Sequence, residues 1–242
     1  MSEVKVPQEF IMDDIGVHNG QIDQSAARLI KGNTYKDLST IWITPTRNNL
    51  KPRVVSSWIA LMRPMNQPFL GPIFLEGDEV GVAYQKGFEM ILEHPELSKW
   101  KYVLTVEQDN LPPSDGLMKL YTSIEEGYDC VAGLYWTKGE AGQPMIYGDP
   151  RVMPKNFVPQ VPQPDCLQPC NGLGMGFNLW KIESFKTKLK DLEKPWFKTL
   201  QEKSGQFTQD LWFFNNAAKY GFKVACQTSC KVGHLDDNGI VW

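Results

Sequence analysis

Nothing in this chain reads as a membrane span: no stretch approaches the roughly 20 consecutive apolar residues that a bilayer requires. Residues 1–8, MSEVKVPQ, form no apolar secretory core, so a cytoplasmic protein is expected. Basic charge is also scarce. With 25 Lys and Arg against 28 Asp and Glu, the net charge is −3, which leaves no electrostatic footprint for nucleic acid, although a local basic patch fits inside that balance. The absence of a GxxxxGK[ST] loop removes the usual kinases and ATPases. Five cysteines, an odd number in a chain of 242 residues, do not make a disulfide framework. Cys166 with Cys170 and Cys226 with Cys230 raise a four-cysteine zinc site, but two residues between ligands is the commoner spacing, and free, half-buried thiols are the default.

What is present alternates. Residues 1–39 are polar and weakly periodic and read as an arm or capping segment. One α/β domain is expected over residues 40–242. A strand at 40–44 precedes a helix at 51–63 with Pro52 in its first turn and Val54, Val55, Trp58, Leu61 and Met62 on one face. A strand at 71–76, ending on Glu76, and a helix at 81–94 follow. Further on come a helix at 114–126, a strand at 128–136, a helix at 182–192, and a helix at 208–220 with Thr208 as N-cap and Gly221 as terminator. Alternation of this kind implies parallel pairing. Between 137 and 170 seven prolines exclude long helices; the segment reads as a surface loop on the acceptor side of a site.

The chain is organised around residues 101–110, KYVLTVEQDN, an apolar run closing on two carboxylates. A nearly continuous apolar run is what a strand buried on both faces looks like. Glu107 and Asp109 then stand at its carboxyl end, the edge where open α/β sheets bind ligands. Two carboxylates there suit a hard cation, Mg2+ or Mn2+, carrying a phosphate-bearing substrate; a solvated acidic turn before Pro112 and Pro113 reads alike. Gly172, Gly174 and Gly176 do not make a dinucleotide fingerprint, because residues 177–180 continue as strand. They read as positions where backbone approaches a ligand closely.

Taken in order, several motifs resemble the GT-A glycosyltransferases, in particular family 2 nucleotide-sugar transferases and their relatives in bacteria and bacteriophages. The resemblance rests on Pro45-Thr46-Arg47, Glu76, the acidic pair Glu107-Gln108-Asp109 in place of Asp-x-Asp, and Leu111-Pro112-Pro113. It continues through residues 131–136 and 172–177, Pro195-Trp196-Phe197, Thr208-Gln209-Asp210 and Val232-Gly233-His234. It implies a single Rossmann-like GT-A domain, with a mostly parallel central sheet flanked by helices, in a bacterial or phage-infected cell. Pro45, Thr46, Arg47, Glu76, Lys86 and Gln108 would bind the donor. Asp109, Glu107 and His234 would hold Mn2+ or Mg2+. Asp210 would be the catalytic base, kept ionised by the helix N-terminus. Gly174, Met175, Gly176, Trp136 and Trp196 would shape the sugar and acceptor pocket. Two departures stand out: Glu107 replaces an aspartate, and Gln209 leaves Asp210 as the only carboxylate of its motif.

The expected activity is metal-dependent, inverting transfer of a sugar from a nucleotide-sugar, a UDP-sugar above all, to an acceptor hydroxyl on a glycan, a small molecule or a modified DNA base. A sugar-phosphate nucleotidyltransferase would want a glycine-rich basic loop after the first strand, which residues 45–49 are not. A noncatalytic sugar-binding relative would lose the acidic pair or the base.

Overall fold

The computed structural model describes residues 36–47, 49–202 and 205–242. Most of the expected arm at 1–39 therefore lies outside the described residues. The chain divides into two compact units, residues 1–37 with 65–67 and residues 38–64 with 68–242; the elements below belong to the second.

Strand β1 (Thr40–Thr46) is buried along its whole length. Because side chains alternate, Ile41 and Ile43 enter the core on one face and Trp42 the core on the other. Helix α1 (Pro52–Ile59) leads to β2 (Phe69–Glu76), and α2 (Val80–Glu93) to β3 (Tyr102–Val106). Both β2 and β3 pair parallel with β1, as the alternation requires. A two-residue strand β4 (Asn110–Leu111), helix α3 (Gly116–Ile124) and β5 (Cys130–Leu134) follow. The proline-rich stretch contributes β6 (Ile146–Tyr147) and β7 (Leu167–Cys170), before β8 (Gly172–Leu173), β9 (Phe177–Lys181) and α4 (Ile182–Thr187). The hairpin β10 (Leu200–Glu202) and β11 (Gly205–Phe207), helix α5 (Gln209–Ala217), β12 (Val224–Lys231) and β13 (Gly233–His234) complete the unit.

The central sheet has the order β2-β1-β3-β9-β5-β12-β7. Five of the seven strands run one way; β9, between β3 and β5, and β7, at the edge, run the other. A mostly parallel sheet flanked by helices is thus what the chain builds. The reversed β9 is the feature that alternation alone does not reveal.

Helices α1 and α3 cover one face through Val54, Trp58, Leu117, Leu120 and Ile124. Helices α2, α4 and α5 cover the other, where Trp180 of β9 stacks on Phe214 with centroids 5.5 Å apart. Phe213 stacks on Phe197 at 4.8 Å. This aromatic pile fixes α5, and with it Asp210, against the sheet, since such rings bury large areas in defined geometries.

Several helices stop short of their sequence pattern. α1 ends at Ile59, leaving Met62 about half exposed. α4 covers only its first six expected residues. Thr208 occupies the N-cap position of α5 without a side-chain capping bond, and Gly221, at φ +74°, ends the following turn as a left-handed residue. The five cysteines are free thiols, four of them buried; among the described residues no three His, Cys, Asp or Glu side chains converge as a metal-binding group.

Candidate active site

The carboxyl ends of β1 and β3 open onto a cleft of about 400 Å3. Pro45, Thr46 and Arg47 line one wall, Asp78, Glu79 and Val80 a second; Glu107, Gln108 and Asp109 form the floor, with Lys138 and Gln209 completing it. Position follows from topology, because parallel strands deliver their carboxyl ends to one edge. Gln108 ties the floor to the first wall: its side-chain oxygen accepts from the Thr46 hydroxyl at 3.0 Å and the Arg47 amide at 2.7 Å.

After β3 the backbone turns tightly. The Glu107 amide donates to the Gly176 carbonyl and the Asn110 amide to the Glu107 carbonyl, each at 3.1 Å. Antiparallel pairing of β13 with β4 sets His234 opposite Asn110, and the Leu235 amide donates to the Asp109 carbonyl at 2.8 Å. The end of the chain thereby brings an imidazole to the acidic turn.

His234 Nδ1 lies 2.7 Å from the Trp136 carbonyl oxygen. A carbonyl only accepts, so Nδ1 carries a proton, and Nε2 faces Asp109 Oδ2 at 3.5 Å. In the neutral ring Nε2 is a lone pair opposed to a carboxylate, which calls for a proton or another cation between them. The same Oδ2 accepts from Lys138 Nζ at 2.5 Å. Burial works against the Asp109 charge, but the His234 ring and the Lys138 ammonium outweigh it and hold the carboxyl at about 2.

Glu107 has a different environment. Its Oε1 accepts from the Tyr84 hydroxyl at 3.4 Å, and burial, followed by the charges of Asp109 and Asp210, pushes its carboxyl up to about 8. Two carboxyls one residue apart are thus driven in opposite directions by their surroundings. Asp210 is 4% exposed. Burial raises its carboxyl above the usual value, in spite of hydrogen bonds from the Thr208 hydroxyl and from the Leu211 amide at 2.8 Å. The helix N-terminus, expected to keep it ionised, is opposed by this larger desolvation.

The remaining expected site residues are spread more widely. Glu76 is exposed at the end of β2, and the cleft wall there is made instead by Asp78 and Glu79. Lys86 reaches the cleft only through Asp78, to which its ammonium donates at 2.8 Å. Gly174, Met175 and Gly176 are buried. A Cβ at 174 would lie 2.1 Å from the Tyr135 hydroxyl, and one at 176 would lie 2.7 Å from the Asn110 side chain. These glycines admit protein side chains, where the sequence suggested a ligand. Trp136 is half-buried and offers the carbonyl that orients His234. Trp196 is 8% exposed, packs on Phe185 and donates its indole N–H to the Leu192 carbonyl at 3.1 Å, so it belongs to the core and not to an acceptor wall.

Lys138, Asp78, Glu79 and Tyr84 are the site residues that sequence reasoning missed, and Gln209, noted in the sequence as a departure from the base motif, lines the cleft. Glu79 had a usable signal: an acid just ahead of a helical pattern is an N-cap, and its carboxylate does accept from the Gly81 and Val82 amides.

No protein-family model and no curated protein matches the sequence. Solved structures do match. A197 from STIV superposes with a TM-score of 0.59 at 20% identity, covering 84% of this chain and 89% of that one. GalNAc-T7, crystallised with UDP, GalNAc and Mn2+, superposes with a TM-score of 0.54 at 11% identity over 91% of this chain. The chain spans about half of the GalNAc-T7 structure, 53% of its length. The fold is accordingly the GT-A fold of glycosyltransferases. Among the described residues no helix is long and apolar enough to cross a membrane.

Proposed function

We propose that this protein is a glycosyltransferase that moves a sugar from a nucleotide-sugar donor, a UDP-sugar, to an acceptor hydroxyl with inversion at the anomeric carbon. The observation that carries the reading is Asp109 facing His234 at the carboxyl edge of β3, at the floor of a cleft walled by Pro45, Thr46 and Arg47. GalNAc-T7, of like fold, was crystallised with UDP, GalNAc and Mn2+, and those ligands support the donor and metal assignments made from the sequence.

The residues present fit a divalent cation with two protein donors. His234 spends Nδ1 on the Trp136 carbonyl, the arrangement that orients a metal-binding imidazole, and Asp109 adds a charged oxygen. Glu107, expected as a third ligand, has Oε1 turned to the Tyr84 hydroxyl, so Asp109 and His234 are the two donors assigned; phosphate oxygens and water suit the remaining positions. A bound Mn2+ or Mg2+ would offset the charge that develops on the departing diphosphate.

The chain's own residues do the rest. Arg47 and the backbone held by Gln108 bind and orient the nucleoside end. Asp210, whose proton affinity is raised by burial, takes the proton of the acceptor hydroxyl as it attacks; a base whose pKa is brought nearer the working pH is the more effective one. One base opposite a held leaving group makes a single displacement, hence inversion.

The test is a thermal-shift screen of nucleoside diphosphates and nucleotide-sugars, each with manganese and with chelator. Ligands that bind only the native state raise the melting temperature by mass action. A rise with UDP or UDP-sugars that chelator removes is the expected result; no rise with any nucleotide would end the transferase reading.

A further inference from the structure

The cleft has an imbalance of charge that the proposed donor must overcome. Asp78, Glu79 and Asp109 line it as carboxylates, against Arg47 and Lys138 as cations. A diphosphate entering such a site needs cations delivered to it. Lys138 already stands on Asp109 Oδ2, the oxygen that also faces His234 Nε2. A metal on that oxygen and an ammonium 2.5 Å from it repel each other.

We propose that Lys138 is the resident cation of the Asp109–His234 seat, displaced from it when metal and donor enter and transferred to the donor's phosphate oxygens. The proposal rests on the transferase reading above and adds to it a residue that moves between two anions.

The local construction suits that movement. Trp136 and Pro144 form an isolated antiparallel bridge. Inside it the Thr137 amide donates to the Gln143 carbonyl at 2.9 Å, and the Gln143 amide to the Thr137 hydroxyl at 2.8 Å. The Gly142 amide donates to the Gly139 carbonyl at 2.9 Å. A Cβ at 142 would lie 2.6 Å from the Thr137 carbonyl oxygen, so this closure needs glycine there. The backbone under Lys138 is therefore held, and its side chain, about a third exposed, swings on a flexible four-carbon stem. The same loop root supplies the Trp136 carbonyl that aims His234. One short segment thus sets the imidazole and carries the ammonium that competes for the seat.

The experiment uses the full chain as wild type, Lys138→Met and Lys138→Arg. Manganese alone is titrated first, read by the electron paramagnetic resonance of the free ion, and UDP is then titrated with manganese present. Removing the competing charge tightens the binding of manganese alone several-fold in Lys138→Met, while UDP binding weakens by about tenfold, the scale of one charge-assisted contact. Lys138→Arg keeps UDP affinity within about threefold of the wild type, because the charge is retained. Affinities that move in opposite directions are the signature of an exchange. Equal manganese affinity in wild type and Lys138→Met overturns the proposal, and so does a fall of both affinities together, which is what mere loosening of the loop produces. Failure of the underlying reading looks different: UDP does not bind the wild type, whatever the manganese titration gives.

Discussion

The side-chain oxygen of Gln108 accepts the Arg47 amide at 2.7 Å, which makes the end of β1 and the acidic turn after β3 a single rigid unit. Gln108→Ala removes this bond and the one from Thr46. Each is worth about 1 kcal/mol or less at a partly exposed site, so the melting temperature falls by only a few degrees. UDP affinity, measured calorimetrically with manganese, falls several-fold; an unchanged Kd would mean that the bridge does not shape the nucleoside wall.

Gly174→Ala tests whether the glycine run serves packing. The new methyl group meets the Tyr135 hydroxyl at 2.1 Å in a fully buried place, and overpacking of this kind costs about 1–3 kcal/mol. Denaturant unfolding should show that loss. A variant as stable as wild type would show that Tyr135 has room to retreat.

Glu107 makes stability depend on pH. The folded carboxyl keeps its proton up to about 8, whereas its ordinary value is 4.5. Between those values the folded state binds more protons than the unfolded one, so stability contributed by the protonated form is present at low pH and is lost as pH rises through that window. Glu107→Gln imitates the protonated carboxyl. In metal-free buffer its melting temperature should exceed that of the wild type above pH 8, with the difference shrinking toward pH 5; parallel curves would contradict the half-buried, proton-holding carboxyl.

Asp210→Asn separates binding from transfer. UDP affinity should stay within about twofold, while transfer falls by about a hundredfold or more, the usual contribution of a positioned base. In the wild type, transfer should be lost as pH falls through the raised Asp210 value, higher than an ordinary aspartate would give. Full activity in the Asn variant would remove Asp210 from the chemistry.

The parts of this molecule legible in the sequence are those written in local pattern. β1 and β3 announce themselves by apolar runs, and Glu107 and Asp109 mark the edge where the run stops. β9 was legible as a strand but not as a reversed one, because a strand buried on both faces reads the same in either direction. Trp196 shows the limit for single residues: following Pro195 it resembles a loop aromatic, and only the arrangement of α2, α4 and α5 decides that it is core. Lys138 is a lysine in a polar loop until the loop folds over Asp109. The opposite proton affinities of Glu107 and Asp109 depend on Tyr84, His234 and Lys138, and residues brought in from distant elements leave no trace in local spacing.

The reversed strand also sets an order of assembly. β9 pairs with both β3 and β5, yet it leaves the ribosome after both of them. Until residue 181 has emerged, the two earlier strands present unpaired edges to whatever surrounds the nascent chain, and such edges invite pairing with other chains. The sheet closes only by long-range contacts, which form slowly. A chain interrupted before β9 would therefore be expected to aggregate instead of persisting as a smaller domain, and any division of this protein into independently expressed pieces should leave residues 102–181 together.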